Sequence, residues 1–198
     1  MAMADIRALN RRAVDYSVVL VSRITAGDLG RSTPCAAWNL ADLLSHMTVQ
    51  HRGFAAAARG AGADPELWVP RPLAADPVTD YAAAAAGVTA AYTEPGVLER
   101  DFDLPEIGPG VRIPGSIAVG FHLIDYVVHG WDVARTLGLE YRLDDALAEP
   151  ALRIAEAVPN GDERLRPGAA FAPALPDNDA TPLDRILTLL GRSPAWPH

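Results

Sequence analysis

One stretch constrains this chain more than any other: residues 114–138, PGSIAVGFHLIDYVVHGWDVARTLG. Its apolar residues do not keep to one side. Ile117, Val119, Phe121, Leu123, Ile124, Tyr126, Val127, Val128, Trp131 and Val133 cover most of a helical circumference, the pattern of a helix buried within a bundle. The polar residues are the ordered part. At about 100° per residue, His122, Asp125, His129 and Asp132 fall within roughly 80° of one another. Burying such groups unpaired is costly, so they must meet water, one another or a cation.

Asp125 and His129 form the sharpest pair in that stripe. Residues at i and i+4 lie about 6 Å apart on one helix face, close enough to converge on a single metal ion. Helical two-ligand metal sites use this spacing. It equally describes an Asp–His hydrogen bond inside a core, and spacing alone leaves both readings open.

Composition narrows the remaining chemistry. At 198 residues the chain has the length of one good-sized domain. No apolar run approaches the ~20 residues needed to span a membrane, and Asp5, Arg7, Arg11 and Arg12 interrupt the start too early for a signal peptide. A cytoplasmic protein is expected. The net charge of −8 argues against nucleic acid as a partner. All 17 basic residues are arginine, which removes a lysine-bearing phosphate loop and Schiff-base chemistry. The single Cys35 excludes an internal disulfide and a multi-cysteine zinc site.

Taken in order, the chain reads as all-α. Residues 5–26 form a first helix whose broad apolar face, widened by Val14, Val18, Val19 and Val21, packs on more than one side. A turn at 33–38 leads to Asn39, an N-cap with Asp42 three residues on, and a second helix runs over 40–59. His46 sits on its core side, where a hydrogen-bonded core histidine is the commoner role. His51, about 140° further round, points to solvent or to a helix-end role. Residues 60–76 read as a packed connection or a lid, and Asp76-Pro77 opens a third helix ending near 93. A short hairpin in 98–114 delivers the chain into the striped helix. Helices over 144–158 and 182–190 follow, with 164–180 wrapping over the bundle between them. The whole of 1–198 reads as a single domain, with a core at 5–138 and a helical extension at 139–198.

Two segments are familiar together. TPCAAWNLADLLSHM (33–47) resembles the second-helix entry of the DinB-like metal-binding superfamily, and DYVVHGWDVARTLG (125–138) resembles its fourth-helix signature. The closest branch is similar to the N-terminal domain of mycothiol-dependent maleylpyruvate isomerase and to actinobacterial metal-binding proteins grouped with it. The closing PLDRILTLLGRSPAW (182–196) looks like the usual ending of that set.

The resemblance implies a four-helix bundle with a divalent metal between the second and fourth helices, held by His46, Asp125 and His129. Where the family commonly has Glu or His, this chain has Asp125, one methylene shorter. His122 would complete the shell or hydrogen-bond Asp125, and Asp132 would orient His129. Two imidazoles and a carboxylate suit Zn²⁺ best, with Ni²⁺, Fe²⁺ and Mn²⁺ as further candidates. The implied activity is that of a thiol transferase or isomerase: the metal turns a thiol co-substrate such as mycothiol into a thiolate that attacks a small electrophile. The isomerase's C-terminal domain is not recognisable here, so its own reaction is not carried over. The alternative is a non-catalytic metal or small-molecule binding protein on the same bundle. Family likeness also implies self-association, as a homodimer, through helix faces. Cys35 reads as a small residue packing the entry turn beside Trp38, ahead of a reactive thiol at the second helix's N-terminus.

Overall fold

In the computed structural model, which describes residues 5–35, 38–166, 168–176 and 181–197, α1 (Ile6–Val21), α2 (Leu40–Ala58), α3 (Pro77–Tyr92) and α4 (Gly115–Leu137) form a four-helix bundle. Two short strands, β1 (Asp101–Asp103) and β2 (Arg112–Pro114), precede α4; α5 (Asp145–Ala157) and α6 (Pro182–Leu189) follow it. The strands pair antiparallel with Phe102 opposite Ile113, which confirms the hairpin expected before the striped helix. α1 packs against α3 and α4, α2 against α3 and α4, and α5 against α4 and α6. Among the described residues no helix is long and apolar enough to cross a membrane.

The helix starts follow local chemistry. Asn39 accepts from the Asp42 amide while Asp42 accepts from the Asn39 amide, and Thr181 and Asp184 make the same reciprocal box at α6. Asp76 caps α3 ahead of Pro77, and Gly138 at φ 72° closes α4 in the left-handed conformation. α1 stops at Val21, earlier than its periodicity suggests. The Ser22 hydroxyl donates back to the Val19 carbonyl, and a capping box between Thr25 and Asp28 opens a separate 3₁₀ turn at Ala26–Asp28. α1 also buries one face rather than several: Leu9, Ala13, Val14 and Leu20 are inside, whereas Val19 is 59% exposed.

From Ala118 onward α4 is buried round most of its circumference, which explains why its apolar residues do not keep to one side. The larger core joins Leu43, Leu44, Met47, Leu123, Val127 and Ile186. A second core at the hairpin end joins Phe54, Trp68, Val88, Phe102 and Val119. Trp68 shows why the 60–76 connection packs down. Its indole lies over Gly53, where any Cβ would fall 2.6 Å from a ring carbon, and its Nε1 donates to the Gly62 carbonyl at 2.9 Å. In the wrapping segment, buried Arg164 donates to the carbonyls of Val158, Pro159, Ala172 and Leu189, tying the chain before α6 to α6 itself. Residues 167 and 177–180 of that segment, and 36–37 of the turn before α2, lie outside the described residues.

Candidate metal centre

The capping box at Asn39 starts α2 so that His46 comes round two turns later, facing α4. There Asp125 and His129 stand one turn apart on the adjoining face. The structure brings these three side chains together: one ligand atom from each lies within 4.8 Å of the others. Asp125 Oδ1 is 3.3 Å from His129 Nε2, and Asp125 Oδ2 is 4.0 Å from His46 Nε2. Exposure is uneven across the three side chains. His129 is 3% exposed, whereas His46 and Asp125 retain 19% and 20%.

Trp38, the last residue before the cap, leans on His46 with ring centroids 4.6 Å apart and on His129 at 6.0 Å. Outside His46 opens a cleft of about 500 Å³ walled by Trp38, Ser45, Arg71 and Leu73. The 60–76 connection therefore lines the entrance through its last residues while Trp68 anchors it.

Behind the trio, His129 Nδ1 donates to Asp132 Oδ2 at 2.9 Å. Asp132, fully buried, also accepts from Arg192 Nε at 3.2 Å and Nη2 at 3.3 Å. Arg192 lies just past α6 and is itself buried, so the C-terminal extension supplies the counter-charge for the bundle's innermost carboxylate. Sequence reasoning missed Arg192. Its only signal is a lone arginine after the helix-ending Gly191, and nothing local says where it reaches.

The charges are strongly coupled. Burial pulls His46 down to about 4, against the opposing pull of Asp125. Burial also works against a charged His129, but Asp125 and Asp132 outweigh it and raise His129 to about 9. Burial pushes the Asp125 carboxyl up, and the imidazoles of His129 and His46 more than reverse this, leaving it at about 2. One lone pair stays unused: among the described residues Asp125 Oδ2 is buried with no hydrogen-bond partner. Buried carboxylate oxygens are rarely left so. The donor set, two imidazole nitrogens and a carboxylate, suits a borderline divalent cation such as Zn²⁺. The residues present fit that group.

Two expectations need correction. His122 neither joins the trio nor bonds Asp125. Its Nδ1 meets Asn10 Nδ2 at 2.8 Å and its Nε2 meets His51 Nδ1 at 3.2 Å. The stripe placed it correctly in angle, but it sits a turn below Asp125, level with α1. His51 is not at solvent either. It is fully buried between Tyr81 of α3 and Tyr126 of α4, because α2 is enclosed over more of its circumference than one apolar stripe implies. Cys35 is half-buried and burial raises its thiol to about 11, which agrees with a packing role.

The bundle and its site define a class. Residues 11–134 match the family described as the mycothiol maleylpyruvate isomerase N-terminal domain, and the chain belongs to that family. Two proteins of Mycobacterium tuberculosis, from strains CDC 1551 and H37Rv and both named only as uncharacterized, are each 30% identical over 190 residues, 93% of this chain and 96% of theirs. A crystal structure of the mycothiol-dependent maleylpyruvate isomerase superposes with a TM-score of 0.60 at 14% identity, over 79% of this chain and 69% of that one. The structure of a histidine-to-alanine mutant of that enzyme superposes equally well. At this identity the likeness establishes the fold, a DinB-like helical bundle.

Proposed function

We propose that His46, Asp125 and His129 bind a divalent cation, Zn²⁺ by preference, and that the centre activates a mycothiol-type thiol toward a small electrophile. The observation that carries this reading is the unpartnered Asp125 Oδ2, 4.0 Å from His46 Nε2. That gap is too wide for a hydrogen bond; two ligands bound about 2.0 Å from a tetrahedral cation stand about 3.3 Å apart, so a movement of well under 1 Å lets both atoms share one ion. When bound, such an ion lowers a thiol's pKa and so supplies a nucleophile at neutral pH.

The chain's own residues do the rest. Asp132 holds the His129 Nδ1 proton and so aims Nε2 at the cation position. Arg192 supplies the counter-charge to Asp132 and fixes the direction of its carboxylate. Depression of His46 keeps its ring neutral, the form that ligates. Trp38 covers the rings of both histidines and excludes water from that side. The cleft beside His46 admits the thiol and its electrophile, and three protein ligands leave a position open.

The test is elemental analysis of untagged protein, followed by cobalt substitution and titration with mycothiol. Stoichiometric metal that disappears in His46→Ala and His129→Ala is expected, together with a thiolate-to-cobalt charge-transfer band on adding the thiol. Protein that takes no metal, or a cobalt spectrum unmoved by thiol, would overturn the proposal. Metal binding with no thiol band would leave a metal-binding protein without this chemistry.

A further inference from the structure

A second pair of histidines lies within the same two helices, outside the trio. His51 of α2 and His122 of α4 are both 0% exposed, and Asn10 of α1 is 1% exposed. The Asn10 amide nitrogen faces both the Val119 carbonyl at 3.4 Å and His122 Nδ1 at 2.8 Å. That contact makes Nδ1 of His122 the acceptor, so its proton sits on Nε2 and is donated to His51 Nδ1. His51 then carries its proton on Nε2, where among the described residues there is no partner; Asn10 Oδ1 is likewise unpartnered. The result is a directional chain across three helices that leaves a buried group unsatisfied at each end.

Such a network is a poor device for stability, since apolar side chains of the same size would fill the space without unsatisfied groups. The best-attested use of buried polar groups is to fix register. The geometry here suits that use. α2 and α4 run antiparallel, with His46 opposite Asp125 and His129, and His51 opposite His122. A shift of one residue in α2 would move it about 1.5 Å and turn it about 100°, taking His46 off Asp125. Near the trio the two helices are tied by the Tyr126 hydroxyl, which donates to the Met47 carbonyl. One hydrogen bond to one carbonyl is a pivot. The His51–His122 bond, about one turn further along, removes the remaining rotation, and Tyr126 stacks on His51 at 4.0 Å to join the two ties.

We infer that Asn10, His122 and His51 are positioning residues: their hydrogen-bonded chain locks the register of α2 against α4, so that His46 meets Asp125 and His129. This rests on the proposed metal reading for one of its two readouts and is independent of it for the other.

The experiment replaces the chain by apolar groups of similar volume, in the triple variant Asn10→Leu, His51→Phe, His122→Phe. It compares zinc affinity, thermal stability and the NMR cross-relaxation between the His46 and His129 rings, whose centroids lie 5.2 Å apart. The expected result is an unfolding temperature equal to or above the parent's, zinc affinity about tenfold or more weaker, and a weakened ring–ring cross-peak. His51→Asn, which keeps an acceptor at the Nδ1 position, should retain zinc affinity within about twofold of the parent by preserving the same contact. A triple variant with parental affinity and an unchanged cross-peak would overturn the inference. Should the parent take up no zinc, the metal reading fails and the cross-peak decides the register question. Should the triple variant not fold, His51→Phe alone is judged by the same measurements.

Discussion

The two histidine pairs on α2 and α4 are built from the same side chain and live under opposite conditions. His46 and His129 stand beside Asp125 and Asp132, and His46 lines a cleft. His51 and His122 are sealed among Tyr81, Tyr126, Phe54 and Tyr92. In the first pair, carboxylates raise one ring to about 9 while burial holds the other at about 4. In the second, burial dominates: it brings His122 down to about 3 against the pull of Asp125 and His51 well below its usual value, so both stay neutral and serve as hydrogen-bonding groups. What a histidine does in this fold is decided by whether a carboxylate lies in contact with its ring.

The comparison can be broken most directly through Arg192. Arg192→Met removes the arginine partner of buried Asp132 and leaves it His129, and a loss of about 3 kcal/mol of stability is expected in urea unfolding. The sealed pair has no such counterpart, because among the described residues no ion pair is made there. Asp125→Asn tests the carboxylate itself: with it the trio takes on the character of the sealed pair, and zinc affinity should fall roughly a hundredfold by competition with a chromophoric chelator.

The pH dependences have opposite signs. His129 must lose a proton to ligate, so zinc affinity should rise about tenfold per pH unit up to about 9. In the metal-free protein its raised value stabilises the fold fully below about 6.5, and that contribution disappears as the pH climbs through about 9. His51 and His122 act the other way. Below about 6.5 they bind protons only when unfolded, so each removes about 1.4 kcal/mol of stability per pH unit until its own lowered value is reached. Unfolding free energies measured between pH 7 and pH 5 should show this slope, and His51→Phe with His122→Phe should reduce it to the share left by His46, itself lowered to about 4. The smallest effect is expected at Cys35: with its thiol raised to about 11, Cys35→Ala should leave zinc affinity unchanged, and alkylation at neutral pH should be slow.

Much of this was legible before any fold was seen. The helices over 40–59, 77–93 and 144–158 are marked by their caps and apolar spacing, and they emerge within a residue or two. The stripe on α4 pointed to Asp125, His129 and Asp132 because side chains at i, i+3 and i+4 share a face whatever the rest of the chain does. His122 shared that angle and still went elsewhere. Angle says which way a side chain leaves its helix; height along the axis decides which neighbour it meets, and at its level the neighbour is Asn10.

The sequence by itself therefore determined the rods, their ends and the polar line on the most buried one, since these depend on contacts within a turn or two. Only the tertiary structure decided that His51 would turn inward to His122, that Arg192 would reach Asp132 from the far end of the chain, and that His46 would stop 4.0 Å from an unpartnered oxygen of Asp125. Those meetings join residues far apart along the chain. Helical periodicity carries no information about them; the register in which the helices pack does.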